Sequence, residues 1–309
     1  MKPIGGTELQ YNLLYEHVDN NLLDRFQITT SVPEKIPLSK DKINILWVQN
    51  SYDQPNLVPW FQDKSNHNKY DYYVFNSHWC NEKFRMAFQV PPEKCAVIKN
   101  AIDTFNPRKP YKKGDPIKIL FTSTPWRGLN VLLGAMQLIK NPLITSDVYS
   151  STKIYGSDFE KNTGNMYEQL FNQANKLPNV NYKGFCPNKE ILKNITDYSL
   201  YVYPSIWEET SCIAAIEALG NGLHGIVTNY GALFETCSEW PTYIQYQRDY
   251  KLLAEMFSYG INGVADILHT EGVQVMLDSQ ARFYKKYYSW ENRQLEWTNF
   301  LEGIVNAKS

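Results

Sequence analysis

Residues Ser199–Gly222 read SLYVYPSIWEETSCIAAIEALGNG, and this stretch decides the fold. The run SLYVYPS is short, apolar and closed by Pro204, the pattern of a buried strand. Thr210 or Ser211 can cap a helix running to about Leu219. The free N–H groups near Ser211, Cys212 and Ile213 then point out of the sheet's ligand edge, where an anion would be favoured. Two acids flank them. Eight residues separate Glu209 from Glu217, about 12 Å if the whole interval is helical. Carboxylates are natural acceptors for paired hydroxyls, so a sugar, a diphosphate and a ribose would fit the order acid, amides, acid. The plainer alternative makes Glu208 and Glu209 first-turn acids favoured by the helix dipole, and Glu217 a partly exposed face residue.

Outward from this segment the same alternation continues. Strand-length runs FQITTSV, KINILWVQNS, YDYYVFNS and CAVIKNAI precede it, the last ending at Ile102. IKILFTS, SSTKIYGS and NVNYKGF follow, and HGIVTN and TYIQYQ come after the segment. Helical patterns sit between them, including GLNVLLGAMQLI, Met166–Lys176 and Lys189–Ile195. Strand–helix alternation in both halves predicts two parallel sheets covered by helices. The proline- and base-rich stretch Asn106–Pro116, NPRKPYKKGDP, reads as a solvated interdomain linker. From about Asp249 the chain reads as helical, with Trp290, Leu295, Phe300 and Ile304 on one buried face. Only four residues precede Gly5, so the strand that normally leads into a first glycine loop is expected to be missing or vestigial.

Composition bounds the function. The 309 residues suffice for two domains, and 43% hydrophobic content supports real cores. With 31 basic and 32 acidic residues the net charge is -1, which argues against a dedicated duplex-DNA binder. The five cysteines are scattered without a C-x-x-C pair, which argues against zinc or redox chemistry and suits a reducing cytoplasm. No signal-peptide pattern opens the chain, and no apolar run approaches about 18 residues. A cytoplasmic protein is expected, with peripheral membrane contact left open.

Two further loops carry chemistry. IGGTE (Ile4–Glu8) places Gly5 and Gly6 before a helix, where backbone amides can approach a phosphate closely. It lacks the G-x-G-x-x-G spacing of a nicotinamide fingerprint. TSTPWRGLN (Thr122–Asn130) follows a strand and opens a helix. Arg127 there opposes the helix dipole, and its planar fork suits a diphosphate.

Together these motifs resemble retaining glycosyltransferases of family four, which have the GT-B fold. PSIWEETSCIAAIEALGNGLHGIVTNYGALFE is similar to the family signature: an acid, seven residues, a second acid, a glycine step, an apolar strand and a further acid. GGTE resembles its first glycine loop. FNSHWCNEKF and VPPEKCAVIKNAID, with Asn100 and Asp103, resemble its first-domain stretches, and RGLNVLLGAM its second-domain loop. YSWENRQLEW resembles its closing helix. The resemblance implies an α/β fold of two Rossmann-like domains with parallel sheets facing across a cleft: a short first domain, 1–108, on the acceptor side, and a nucleotide-sugar domain, 115–285. The helix of 286–309 would cross back to the first.

By position, the resemblance gives Glu209 the donor sugar's hydroxyls and Glu217 the ribose. Arg127, where the family has lysine, takes the diphosphate together with Thr210, Ser211, Cys212 and Ile213. Gly184 and Phe185 face the base, and Gly5 and Gly6 approach the phosphates from the other side. The reaction implied is retaining sugar transfer from a nucleoside-diphosphate donor to an acceptor hydroxyl, without a metal or other cofactor. No D-x-D occurs, and DFE (Asp158–Glu160) reads as a loop opening. The family's first-domain histidine is absent from WVQNSYDQP, which leaves Asn50 and Tyr52 as polar partners and Asp53 as a base. Ser77, His78 and Trp79 would face the acceptor. His224 stands in a usual proline position, as a packing variation. The expected acceptor is a glycan or glycolipid. A modified base in DNA, or a sugar-nucleotide 2-epimerase or hydrolase reaction on the same fold, remain alternatives.

Overall fold

The structure, a computed structural model, describes residues 5–153 and 164–308. The position of any strand before Gly5, and the DFE loop, lie outside these residues. The described chain divides into two compact units. The first comprises Gly5–Asp103, Glu209–Ile213 and the chain from Tyr287 onward; the second comprises Thr104–Glu208 and Ala214–Lys286.

The first unit is built on four strands in the order β1-β2-β3-β4: β1 (Phe26–Thr30), β2 (Ile43–Val48), β3 (Tyr72–Phe75) and β4 (Cys95–Val97). Every pairing is parallel. Strand β2 explains why its sequence is apolar without alternation. Successive side chains point to opposite faces. Ile45 and Trp47 enter one core with Leu14, Val18, Trp290 and Trp297, while Leu46 and Val48 enter another with Phe61, Phe75 and Phe84. Both faces are covered, so both sets must be apolar.

The closing helix Trp290–Lys308 supplies much of the first core. Trp290, Trp297, Leu301 and Ile304 are buried there, and the Trp297 ring meets Trp47 edge-on at 4.9 Å. The expected face is corrected at one residue: Leu295 is 56% exposed. At about 100° per residue, Leu295 points about 140° away from Trp290. Trp297, Leu301 and Ile304 stay within about 40° of it, and Phe300 flanks the stripe.

The second unit carries six strands: β5 (Ile117–Thr122), β6 (Ile144–Tyr149), β7 (Val180–Tyr182), β8 (Leu200–Tyr203), β9 (His224–Thr228) and β10 (Thr242–Ile244). Their spatial order is β10-β9-β8-β5-β6-β7, parallel throughout. On one face the helices Leu129–Leu138 and Tyr250–Ile267 pack so closely that a Cβ on Gly134 would lie 2.9 Å from Ala254. The strand expected at Ser150–Ser157 is corrected to Ile144–Tyr149; Ser150–Lys153 are not strand, and residues 154–157 lie outside the described chain. Ile144, Ser146 and Val148 are buried in strict alternation with Thr145 and Asp147, a period-2 signal that a search for continuous apolar runs passes over.

The stretch Asn106–Pro116 is not uniformly solvated. The Asn106 N–H donates to Asn221 Oδ1 at 2.6 Å, and its side-chain amide donates to the Leu192 carbonyl at 2.9 Å. Arg108 lies over Gly222, where an added Cβ would meet Arg108 Cδ at 2.4 Å, and its guanidinium donates to Asp278 and Gln274. Its charge is therefore spent within the second unit.

His224 opens β9 in the interior. Its Nε2 lies 3.0 Å from Thr242 Oγ1, and burial holds its pKa down to about 4. The unfolded state therefore binds more protons between about pH 6.5 and 4, and stability falls as pH falls through that window. Between pH 7.5 and 5 the protein is expected to lose about 2 kcal/mol more unfolding free energy than His224→Leu, measured by urea denaturation. Equal losses in the two proteins would mean that the imidazole is already satisfied when charged.

Candidate active site

The order of strands in the second unit fixes where a ligand can sit. From β5 the chain steps outward through β6 and β7. It returns to β8 on the other side of β5, then steps outward through β9 and β10. Between β5 and β8 the direction of winding reverses, which opens a crevice at the carboxyl ends of these two strands. The loops that leave those ends are Ser123–Gly128 and the segment from Pro204.

The two loops touch through their backbones. Gly128 has φ +112°, and a Cβ there would lie 2.1 Å from the Pro204 carbonyl oxygen. Only glycine fits, on both conformational and steric grounds. Gly128 ends the one-turn helix Pro125–Arg127, which lifts Arg127 to the crevice. The Arg127 guanidinium lies over the Trp207 indole, 5.7 Å from the ring centre. This cation–π contact restrains a side chain whose flexibility would otherwise oppose bidentate binding. Trp207 is itself held, because the buried Ser205 hydroxyl accepts from its N–H at 3.2 Å and donates to its carbonyl at 2.9 Å. Thr228 Oγ1 donates to the Ser205 carbonyl at 2.9 Å and pins the turn to β9. Thr124, two residues past the end of β5, has a buried hydroxyl with no hydrogen-bond partner among the described residues.

Glu217 sits in the helix Ile213–Gly220 and is buried, which rules out the exposed-face alternative. Burial pushes its pKa up to about 7, against the lowering effect of a hydrogen bond from Asn188. The Asn188 side-chain amide donates to Oε1 at 3.0 Å and to Oε2 at 3.1 Å. Asn188 begins the short helix Asn188–Lys193 in the connection after β7. Earlier in that connection Gly184 takes φ +65° beside Phe185. The second unit thus gathers Arg127 beside the β8 loop, and draws the connection bearing Gly184 and Phe185 to Glu217 through Asn188.

The helix bearing Glu217 starts later than expected. Its first residue is Ile213, so the cap position falls on Cys212 rather than on Thr210 or Ser211. The Thr210 hydroxyl is used elsewhere: it donates to the Gln49 carbonyl at 2.9 Å and accepts from Asn76 Nδ2 at 3.0 Å. Glu209 is buried but lies before the helix, so helical rise covers only Ile213–Glu217, about 6 Å.

In the first unit, Gly6 opens the helix Gly6–His17 against Ile213, where an added Cβ would stand 2.9 Å from Ile213 Cδ1. The Gly5 N–H donates to Glu8 Oε2 at 3.1 Å. Ser77 caps the helix His78–Phe88 by accepting from the Cys80 N–H at 3.0 Å. The backbone carbonyl of Asn50 accepts from Cys80 Sγ at 3.8 Å. The Tyr52 and Trp79 rings meet at 6.3 Å with Lys83 over both, while Asp53 and His78 are exposed.

A cluster of amides joins three strand ends of this unit. Gln49 Nε2 donates to Asn100 Oδ1 at 3.1 Å, and Asn100 Nδ2 donates back to Gln49 Oε1 at 3.2 Å. Asn76 Nδ2 donates to the same Gln49 oxygen at 3.1 Å. Sequence reasoning missed Asn76 and Asn188 altogether. The available signal for Asn76 is that an amide residue closely follows each of β2, β3 and β4; for Asn188 there is none.

Among the described residues no three His, Cys, Asp or Glu side chains come together as a metal-binding group, and no helix is long and apolar enough to cross a membrane.

The family model described as "Glycosyl transferases group 1" matches residues 103–259. No curated protein sequence matches the chain. Among solved structures, the chain is similar to a glycosyltransferase from Rickettsia africae, with TM-score 0.68 and 15% identity over 97% of this chain and 80% of that one. It is similar to HepE of Anabaena in complex with UDP, with TM-score 0.65 and 14% identity over 85% of this chain and 72% of that one. It is also similar to a sucrose-phosphate synthase from Thermosynechococcus elongatus, with TM-score 0.65 and 13% identity over 97% and 79%. These likenesses show the fold, which is GT-B.

Proposed function

The chain belongs to the glycosyl transferases group 1 family, and on that premise we propose that it moves a sugar from a nucleoside-diphosphate donor to an acceptor hydroxyl with retention of configuration. The observation that carries this reading is the meeting of the Arg127 and Pro204 loops at the β5–β8 reversal, with a buried acid on the helix that follows β8. Arg127 takes the diphosphate together with the backbone around Thr210, Ser211, Cys212 and Ile213. Glu217 accepts from the ribose hydroxyls, and Gly184 and Phe185 face the base. Glu209 grips the donor sugar, while Gly5 and Gly6 give room to the phosphates.

The chemistry is glycosyl–phosphate cleavage, with the departing diphosphate stabilised by Arg127 and amide dipoles instead of a metal ion. Asn50 serves as a polar partner at the reacting centre. Acceptor recognition falls to Tyr52, Asp53, Ser77, His78 and Trp79. The acceptor is a glycan or glycolipid, in the cytoplasm or at a membrane surface. HepE was solved with UDP and with UDP-glucose, which makes uridine the first base to try.

A thermal-shift panel of UDP-, GDP- and ADP-hexoses tests the reading. One nucleotide at about 100 times its Kd is expected to raise Tm by about 5 °C, through linkage to the native state. No shift with any of the three would remove the donor site from this chain.

A further inference from the structure

Among the described residues the Glu217 carboxylate has a single partner, the side-chain amide of Asn188. One nitrogen at 3.0 Å from one oxygen and 3.1 Å from the other lies close to the bisector of the carboxylate. That is the front of the acid. A vicinal diol approaches along the same line, donating one O–H to each oxygen, so amide and diol compete for one place. Asn188 is exposed while Glu217 is buried, so the amide covers the acid on its solvent side. Asn188 is also the first residue of its helix, after Pro187 at the cap. Rotation of its side chain alone can uncover the acid, without breaking a helical hydrogen bond.

We propose that Asn188 stands in for the ribose of the donor: its amide satisfies Glu217 in the empty site and swings aside when the 2′- and 3′-hydroxyls of a nucleoside diphosphate take its place. The inference rests on the reading of Glu217 as the ribose ligand. An interaction made only in the empty state lowers the energy of that state and opposes binding. Asn188 therefore weakens nucleotide affinity. It also spares the buried acid an unsatisfied state, which would raise its proton affinity. The displaced amide sharpens recognition as well. A nucleotide lacking one hydroxyl cannot replace both contacts to the acid, so ribose is preferred over deoxyribose.

The test is calorimetric titration of wild type, Asn188→Ala and Glu217→Gln at pH 8.5. The probe is whichever of UDP, GDP and ADP binds wild type most tightly, together with its 3′-deoxy form. The high pH keeps Glu217 ionised in the variant that lacks the amide. Asn188→Ala is expected to bind the nucleotide about tenfold more tightly, and to lose that gain as pH falls toward 7. Glu217→Gln is expected to weaken binding and to erase the preference for the 3′-hydroxyl. If Glu217→Gln weakens binding while Asn188→Ala leaves it unchanged or weaker, the stand-in is overturned and the ribose assignment survives. If Glu217→Gln has no effect, or if none of the three nucleotides binds, the assignment of Glu217 itself is overturned. A second measurement does not depend on a variant folding. In wild type, the Asn188 side-chain amide resonances are expected to move to solvent-exposed shifts and fast exchange on nucleotide saturation; resonances that stay protected overturn the proposal.

Discussion

Arg127→Ala is expected to lower kcat by about 10²- to 10³-fold, the range for removing one preorganised group from a developing charge. The Arg127 side chain is placed by three features described above: the one-turn helix Pro125–Arg127, the Gly128–Pro204 backbone contact and the indole of Trp207. If the diphosphate leaves against this group, its removal strips charge stabilisation that exists fully only in the transition state, so kcat falls more than KM rises. Arg127→Lys is expected to recover only part of the loss, because lysine keeps the charge but not the fork or the stacking on Trp207. Trp207→Ala, which leaves the charge but frees it, is expected to cost about tenfold. The readout is initial rate with the nucleotide sugar selected by thermal shift. An Arg127→Ala rate within threefold of wild type would move the phosphate site elsewhere.

Glu217→Gln is expected to act in opposite directions on stability and on binding. Burial raises the pKa of this acid to about 7. Between about pH 4.5 and 7 the folded state holds the proton more tightly than the unfolded state, so stability is lost as pH rises through that window. By pH 8 the ionised acid lowers stability by about 3 kcal/mol relative to pH 4.5. Glutamine carries no such penalty, so the variant's advantage over wild type is expected to grow by about 3 kcal/mol from pH 4.5 to 8, read by urea denaturation. At pH 8 its nucleotide affinity is expected to fall about 10- to 100-fold, the size of lost hydrogen bonds to a charged acceptor. A variant less stable than wild type at pH 8 would show that the ionised acid is already well paired.

The sheets were legible because β2, β8 and β9 are covered on both faces and therefore read as apolar runs, as does β5 after Lys118. β6 was not, because Thr145 and Asp147 interrupt it with side chains that alternate outward. The face of the closing helix was half legible: Trp290 and Ile304 fit a 3.6 period, while Leu295 drew attention by residue type although its angle excludes it. At the site, Gly128 and Arg127 were visible as a motif, but the reason glycine is required there is a contact with Pro204, 76 positions away, that no local pattern encodes. The start of the Glu217 helix was misjudged for a related reason. Thr210 is a good cap by type, and only its tertiary partners Gln49 and Asn76 show that its hydroxyl is engaged. Asn188 is one polar residue among several after β7, and nothing in its sequence neighbourhood distinguishes it.

The cluster of amides at the first unit's strand ends has a fixed polarity. Gln49 Oε1 receives protons from both Asn76 and Asn100, while the Gln49 NH₂ donates to Asn100. Turning any one of these groups over would set donor against donor or oxygen against oxygen. The three side chains can therefore reorient only in concert, and a lone swap of amide for carboxylate would remove a donor that its neighbours cannot replace. Energies measured by removing them singly will not sum to the energy of removing them together. The ends of β2, β3 and β4 hold or yield as one piece.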